Sequence, residues 1–275
     1  FYDIKFDYSK INFDINCKDV YLYSNGFCES RNKAASLITT ENVKVNGVVI
    51  TKPSYYVSDD AVIEVNQNII QYVARSAKKL LTAVDIFKLD FNNKIAVDLG
   101  SSTGGFCEVM LNDGIKKVYA VDIGTNQLHN SIRNNEKIVV KENTNARFLS
   151  ADDFDDEIDI ITCDLSFISV KHILNVAYDL LKEGGEFICL VKPQFEVGPR
   201  FVGKNGVVKD KRAQVMAVNE IVNLASDIGF SVYDISFSGL EGESGNREFL
   251  LYLKKDYLNF KLAPFKISDT ILGRK

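Results

Sequence analysis

Apolar and polar positions follow two different patterns along the chain, and these patterns divide it into parts. Residues 1–15 alternate between apolar and polar side chains, which predicts short strands or an edge-pairing arm. Between 16 and 66, two short amphipathic helix patterns precede a hairpin signal, in which Asn46-Gly47 supplies the two positive φ angles of a type I′ turn. The pattern therefore predicts an arm over 1–15 and a small α+β domain over 16–66.

The second part of the chain alternates strand and helix patterns. A linker over 67–74 and an amphipathic helix over 75–89 come first. Seven apolar runs short enough for strands follow, at 95–99, 118–123, 138–140, 158–165, 187–192, 232–237 and 249–253. Strands that alternate with helices form parallel sheets covered on both faces. We therefore expect an α/β domain over 75–255 with a mostly parallel seven-stranded sheet, followed by a basic tail over 256–275.

The first of these runs leads into a glycine-rich turn and then a helix pattern. Glycines let a backbone approach a ligand closely, and a helix N-terminus offers free N–H groups. The spacing is neither the dinucleotide fingerprint G-x-G-x-x-G nor a phosphate-binding P-loop, so the turn alone does not identify the ligand. The candidate ligand contacts are Asp98, Gly100, Ser102, Thr103, Gly104, Gly105 and Phe106.

Polar residues stand at the ends of several runs, namely Asp98, Asp122, Asp164 and Lys192. Ligands of parallel α/β sheets bind beyond the carboxyl ends of the strands, so we expect these side chains to share one rim. Asp122 follows the turn by about 20 residues, as does the acid that binds ribose hydroxyls in nucleotide-binding folds. The alternative is that Asp98 and Asp122 cap neighbouring helices.

Composition and charge exclude several classes of function for this protein. The 275 residues include 46% hydrophobic and 25% charged residues, as in an ordinary soluble globular protein. No apolar run approaches the ~20 residues that span a bilayer, and no segment resembles a signal peptide, so we expect a cytoplasmic protein without membrane contact. Five scattered cysteines and two histidines indicate neither disulfides nor a metal site. The net charge of −4 argues against a wholly basic nucleic-acid binder but allows a local basic face.

The first domain resembles a known RNA-binding module. The segments Glu29-Ser30-Arg31-Asn32-Lys33-Ala34, Leu37-Ile38 and Val43-Lys44-Val45-Asn46-Gly47 are similar to those of S4 domains. This resemblance implies that structured RNA binds to basic residues on the second helix and the hairpin. The residues concerned are Arg31, Lys33, Lys44 and Lys52; the alternative is that they are solvated surface charges.

The glycine-rich turn resembles the S-adenosylmethionine loop of class I methyltransferases, because an acid leads the sequence Asp-x-Gly-x-x-x-Gly-Gly. The resemblance implies a Rossmann-like fold and S-adenosylmethionine as the cofactor. Besides the residues of the turn, it implies cofactor contacts from Asp122, Asn145 and Asp164.

Four further residues, Lys79, Asp164, Lys192 and Glu248, occur in an order that resembles the tetrad of FtsJ-like ribose 2′-O-methyltransferases. Together with the S4-like module, they are similar to the TlyA family, whose members methylate ribose 2′-hydroxyls of cytidines in ribosomal RNA. The resemblance implies ribosomal RNA or ribosomal subunits as partners. It also rests on the segments 119–124, 142–147, 164–169, 191–196 and 202–210.

The chemistry of this family assigns a role to each tetrad residue. A ribose hydroxyl is a poor nucleophile at neutral pH, so a base must take its proton during attack on the methyl group. We assign Lys192 as the base, Lys79 as the cation that stabilises the developing alkoxide, and Asp164 and Glu248 as the acids that orient the lysines. Lys78 is the alternative to Lys79. Additional RNA contacts are expected from Arg75 and Lys204, and from Phe167 and Phe195 if these rings stack on a base instead of packing in the core.

Three other functions fit parts of the sequence. A methyltransferase for a small molecule or a protein would need neither the S4-like module nor two lysines at the rim. A pore-forming hemolysin would need a membrane-active segment, and none is visible in the sequence. An RNA-binding protein with an inactive catalytic domain would bind the cofactor without transferring a methyl group.

Overall fold

The structure, a computed structural model, describes residues 18–28, 30–39, 42–52, 55, 57, 61–65, 72–242 and 245–274, without the side chains of residues 18, 19, 32, 33 and 36. The chain divides into two compact units, Phe1–Gln71 and Tyr72–Lys275. The strands expected over 1–15 and most of the linker expected over 67–74 lie outside the described residues.

The described residues of the first unit form two helices and a three-stranded antiparallel sheet. The helices are α1 (Lys18–Ser24) and α2 (Arg31–Thr39), and the strands are β1 (Val43–Val45), β2 (Val48–Val49) and β3 (Ile63–Val65), in the order β2-β1-β3. Asn46 and Gly47 have φ angles of 49° and 79°, so the hairpin turns as the Asn-Gly pair predicts. Leu22, Leu37 and Ile38 pack with the buried valines of β1 to form the core of this unit.

The second unit is built around a seven-stranded sheet with the strand order β6-β5-β4-β7-β8-β10-β9. Its strands are β4 (Ile95–Leu99), β5 (Lys117–Val121), β6 (Ile138–Lys141), β7 (Ile158–Cys163), β8 (Leu181–Val191), β9 (Ser231–Glu241) and β10 (Arg247–Lys254). Its helices are α3 (Ala77–Phe87), α4 (Gly105–Asn112), α5 (Asn130–Arg133), α6 (Lys171–Leu180), α7 (Pro193–Glu196), α8 (Lys211–Ile228) and α9 (Pro264–Leu272). The predicted α/β class with a mostly parallel sheet is confirmed.

The directions of the strands gather polar residues at one edge of the sheet. Strands β4, β5, β6, β7 and β8 pair in parallel, so their carboxyl ends meet at this edge. Strand β10 runs antiparallel to β8, with Phe249 opposite Val191. The beginning of β10 therefore meets the end of β8, and Glu248 comes close to Lys192.

Hydrophobic side chains cover both faces of this sheet. On one face, buried residues of α3 and α4, including Leu80 and Met110, pack against the sheet. On the other face, buried residues of α6, α8 and α9 do so. The sequence pattern predicted only a basic tail over 256–275, whereas the structure places α9 there with Ile267 and Ile271 buried. Among the described helices, none is both long enough and apolar enough to cross a membrane.

Candidate active site

The glycine-rich turn lies between the end of β4 and the start of α4, and its glycines are sterically required. Gly100 has a φ of +85°, and a Cβ there would lie 2.9 Å from the carbonyl oxygen of Asp164. A Cβ at Gly105 would lie 2.5 Å from Ser76 Oγ, beside the start of α3. Gly104, at the N-cap of α4, has a φ of +96°. The turn can therefore approach both β7 and α3 only with glycine at these positions.

Asp122 follows β5 and fixes the neighbouring turn. Its Oδ2 accepts a hydrogen bond from the Ser102 N–H at 2.9 Å, and its Oδ1 accepts one from the Gly124 N–H at 2.7 Å. Asp122 and Asn145 line a cavity of about 200 Å³. Asn145 Oδ1 accepts the N–H of Arg147 at 3.1 Å, which orients this side chain. Two predicted cofactor residues thus line one cavity.

Asp98 is buried beneath the glycine-rich turn, with 1% of the residue exposed. Thr162 Oγ1 donates a hydrogen bond to its Oδ1 at 2.8 Å, and Cys107 Sγ donates one to its Oδ2 at 3.2 Å. Burial raises the pKa of Asp98 to about 7, and these hydrogen bonds oppose the rise only in part. Neither Thr162 nor Cys107 was predicted as a partner of Asp98, since neither belongs to a motif.

The four predicted catalytic residues form one connected chain of charges. Lys79 Nζ lies 2.7 Å from Glu248 Oε2 and 3.0 Å from Asp164 Oδ2. Lys192 Nζ lies 2.7 Å from the other oxygen of Asp164 and donates a hydrogen bond to Ser166 Oγ at 2.9 Å. At most 12% of each of the four side chains is exposed. Two amines and two carboxylates from distant parts of the chain therefore meet at one place.

Lys79, and not the alternative Lys78, joins this cluster. Both residues lie in the first turn of α3, but Lys78 is exposed and Lys79 faces the carboxylates. Ser166 was given no role from the sequence. It follows Asp164 by two residues, and this closeness in sequence could have identified it as a partner of Lys192.

Electrostatics within the cluster favour a charged Lys79 and an ionised Asp164. Burial alone would lower the pKa of Lys79, but the carboxylates of Asp164 and Glu248 outweigh it and raise this pKa above its ordinary value. Burial alone would raise the pKa of Asp164, but Lys192 and Lys79 outweigh it and lower this pKa. Lys79 is thus a cation at neutral pH, held between Asp164 and Glu248.

A cavity of about 590 Å³ connects the cluster with the glycine-rich turn. Apart from the carboxylate oxygens that face the two lysines, two buried polar atoms of residues that line it, Ser101 Oγ and Gln194 Oε1, have no hydrogen-bond partner among the described residues. Unpaired buried polar atoms are costly unless a ligand or water pairs with them. The cavity therefore suits a ligand with polar groups. The predicted catalytic and cofactor-binding residues that line it are Lys79, Asp98, Gly100, Ser102, Thr103, Phe106, Asp164, Lys192 and Glu248.

The smaller cavity shares Gly100 and Ser166 with this larger one, so the two are neighbours. An elongated ligand could therefore extend from the tetrad to Asp122. In the described part of the chain, no three His, Cys, Asp or Glu side chains are grouped so that they could hold a metal ion.

Two aromatic rings stand at the larger cavity. Phe167 and Phe195 both line it, with their ring centroids 5.5 Å apart. Phe167 is 92% exposed and has a φ of +65°, which is rare for a bulky residue. Core packing, the alternative considered for both rings, does not apply to Phe167.

The predicted RNA contacts are spread over the two units. In the first unit, Arg31 and Lys52 are exposed and Lys44 is half-buried on β1, whereas the side chain of Lys33 lies outside the described part. In the second unit, Arg75 lines the larger cavity. Lys204 is exposed on the segment between α7 and α8.

Two families match the chain. The S4 domain family matches residues 19–63, and the FtsJ-like methyltransferase family matches residues 72–255. These matches fall separately on the first and the second unit.

Named relatives match over most of their length. Hemolysin A of Brachyspira hyodysenteriae is 38% identical over 235 residues, which cover 85% of this chain and 98% of that protein. The 16S/23S rRNA (cytidine-2′-O)-methyltransferase TlyA of Mycobacterium tuberculosis is 37% identical over 237 residues, which cover 86% of this chain and 88% of that protein. A solved structure from Streptococcus thermophilus that bears a hemolysin name is 35% identical, covers 93% of this chain and 94% of that one, and has a TM-score of 0.74.

Proposed function

This chain belongs to the FtsJ-like methyltransferase family and carries an S4 domain, and we propose that it methylates the ribose 2′-hydroxyl of a cytidine in ribosomal RNA with S-adenosylmethionine. The observation that carries this proposal is the position of Asp164. Its two carboxylate oxygens each contact a different lysine ammonium, at 2.7 and 3.0 Å, on the wall of a cavity that extends to a methyltransferase-type glycine turn.

The cofactor fits the polar character of the two cavities. Bound S-adenosylmethionine would supply an activated methyl group on a sulfonium that leaves as a neutral thioether. Asp122 and Asn145 in the smaller cavity would hold its ribose end, and the glycine-rich turn would hold its amino-acid end. The unpaired Ser101 Oγ and Gln194 Oε1 offer hydrogen-bonding capacity in the larger cavity.

The two lysines have different surroundings, and this difference supports different roles. Lys79 lies between two carboxylates, which keep it charged and suited to stabilise the alkoxide that develops on the ribose oxygen. Lys192 contacts one carboxylate and the hydroxyl of Ser166. After its ammonium has lost a proton to solvent, the neutral Lys192 amine takes the proton of the 2′-hydroxyl. General-base assistance of this kind contributes about 10²–10⁴ in rate.

Ribosomal RNA is the proposed substrate because two independent features favour it. S4 domains bind RNA, and a relative 37% identical over 237 residues is named as a 16S/23S rRNA cytidine-2′-O-methyltransferase. The exposed Phe167 beside the cavity offers a ring on which an unstacked base can lie. A ribosomal RNA substrate would place the protein in the cytoplasm, acting on free RNA or on a ribosomal subunit.

The proposal is tested by incubating naked ribosomal RNA and separated ribosomal subunits with S-adenosylmethionine that carries a labelled methyl group. We expect wild type to yield labelled 2′-O-methylcytidine after nuclease digestion, and Lys192→Ala to lose at least about 10²-fold in rate. Lys78→Ala, which removes an exposed lysine of α3, is the matched control and should retain activity. Label in bases instead of riboses, or an undiminished rate for Lys192→Ala, would overturn the proposal.

A further inference from the structure

One buried amide fastens a surface segment to the catalytic edge of the sheet. Asn246 is 3% exposed and precedes Glu248 by two residues. Its Oδ1 accepts a hydrogen bond from the Val208 N–H at 2.9 Å, and its Nδ2 donates one to the Gly206 carbonyl at 2.9 Å. A second buried amide, Gln214 on α8, donates from Nε2 to the Val208 carbonyl at 2.7 Å. The segment is therefore held from both sides.

This segment, residues 200–212, is strongly basic in a chain whose net charge is −4. Its single acid, Asp210, caps α8 by accepting the N–H of Arg212 at 2.8 Å. The basic side chains belong to exposed residues, and none forms an ion pair with another described residue. They are Arg200, Lys204, Lys209, Lys211 and Arg212.

The basic segment reaches the rim of the larger cavity. Gly206 lines this cavity together with Asn246 and Glu248, so the point at which Asn246 holds the segment is also a wall of the proposed active site. Uncompensated positive charges at a cavity rim attract polyanions, and an RNA strand that places one ribose in the cavity carries phosphates on either side of it.

We propose that residues 200–212 bind the phosphate backbone of the RNA strand next to the target ribose, and that Asn246 is a positioning residue that fixes this surface at the cavity rim. This inference rests on the proposed function, because it assigns a contact surface to the same substrate. It predicts that Asn246 affects RNA affinity through the basic segment and does not affect cofactor affinity.

The test measures the dissociation constant of naked ribosomal RNA over a series of salt concentrations. The Lys204→Gln/Lys209→Gln double variant should lower the slope of log K against log salt by roughly 1.4 to 1.8, because each lost phosphate contact removes about 0.7–0.9. The charge-matched control is Lys88→Gln/Lys116→Gln, which removes two lysines near the opposite end of α3 and the start of β5. The control should keep the wild-type slope.

Asn246→Ala should raise the KM for RNA about tenfold and lower the same slope, while the dissociation constant of S-adenosylmethionine stays near wild type. Adding Asn246→Ala to the lysine double variant should lower the slope by less than the sum of the two separate effects, because both changes act on one surface.

Equal slopes for wild type and the Lys204→Gln/Lys209→Gln variant would overturn the inference, as would an additive effect of Asn246→Ala. These results are distinguishable from failure of the proposed function. If wild type methylates RNA while the basic-segment variants bind it normally, only the inference fails. If wild type transfers no methyl group to ribose, the proposed function fails.

Discussion

Lys79 Nζ lies 3.0 Å from Asp164 Oδ2, although 85 positions separate the two residues in the chain. Helix α3 carries Lys79 into this contact because its buried residues pack on the sheet just before β4 begins. Asp164 directly follows β7, which pairs with β4. The order of the strands, and not closeness in sequence, therefore brings the proposed catalytic pair together. The charge around Lys79 can be changed by substituting its partners, Asp164 and Glu248.

Glu248→Gln should shift the alkaline limb of the pH profile of kcat to lower pH. Burial alone would lower the pKa of Lys79, but Asp164 and Glu248 raise it above its ordinary 10.5. Glutamine keeps the shape of the side chain without its charge, so Lys79 loses its proton at lower pH and the required cation disappears earlier. We also expect kcat at neutral pH to fall by up to about 10²-fold.

The measurement is kcat between pH 7 and the highest pH at which the fold persists, with RNA and S-adenosylmethionine saturating. Glu136→Gln, which neutralises an exposed acid after α5, is the matched control and should keep the wild-type profile. An alkaline limb that does not move in Glu248→Gln would show that the charge of Lys79 does not limit the reaction.

Gly100→Ala should weaken cofactor binding and destabilise the protein. The φ of +85° is unfavourable for alanine, and the new Cβ would lie 2.9 Å from the carbonyl oxygen of Asp164. Strain of this kind costs about 1–3 kcal/mol, and relief would displace the turn. Gly198→Ala is the matched control, because a Cβ there meets nothing within 4 Å and its φ is −64°. Calorimetric titration with S-adenosylmethionine and thermal melting measure both effects, and equal behaviour of the two variants would contradict the prediction.

The stability of the Asp98→Asn variant relative to wild type should increase as the pH rises. Burial raises the pKa of the Asp98 carboxyl from 3.8 to about 7. The stability that this carboxyl contributes is therefore fully present below pH 3.8 and is lost as the pH rises through 7. Asparagine does not titrate, so the difference in the free energy of unfolding between variant and wild type should grow between pH 4 and 7, by up to roughly 4 kcal/mol.

Denaturant unfolding at several pH values between 4 and 8 measures this difference. Asp152→Asn, at an exposed position, controls for the general loss of one negative charge. A difference for Asp98→Asn that is independent of pH would mean that the carboxyl titrates normally in the folded protein.

The period of the apolar residues was sufficient to predict the seven strands and the hairpin, because buried strands and Asn-Gly turns have local signatures. It could not predict that β10 runs antiparallel to β8, which is decided by long-range pairing. That direction is what brings Glu248 to the edge where Lys192 lies. The order of motifs indicated the same tetrad only through resemblance to a family.

Contacts that depend on the orientation of a side chain also could not be predicted from the sequence. Lys78 and Lys79 are adjacent and of the same type, and only the rotation of α3 determines which of them meets Asp164. The sequence did not indicate a positioning role for Asn246, because an asparagine beside glycine in a loop is most often a turn residue. Its two hydrogen bonds to the basic segment appear only in the folded chain.

Phe167→Ala should weaken the use of RNA without affecting the cofactor. The ring is 92% exposed at the cavity, and its centroid lies 5.5 Å from that of Phe195. Stacking of a base on an aromatic ring contributes about 1–3 kcal/mol, so kcat/KM for RNA should fall by roughly 5- to 150-fold.

Steady-state kinetics with RNA as the varied substrate measure this loss, and a titration with S-adenosylmethionine should show an unchanged dissociation constant. Phe148→Ala is the matched control, because Phe148 is also exposed, at 76%, but does not line the larger cavity. Phe167→Tyr, which keeps an aromatic face, should retain most of the activity. Equal losses in the Phe167→Ala and Phe148→Ala variants would mean that the ring at the cavity does not hold a base.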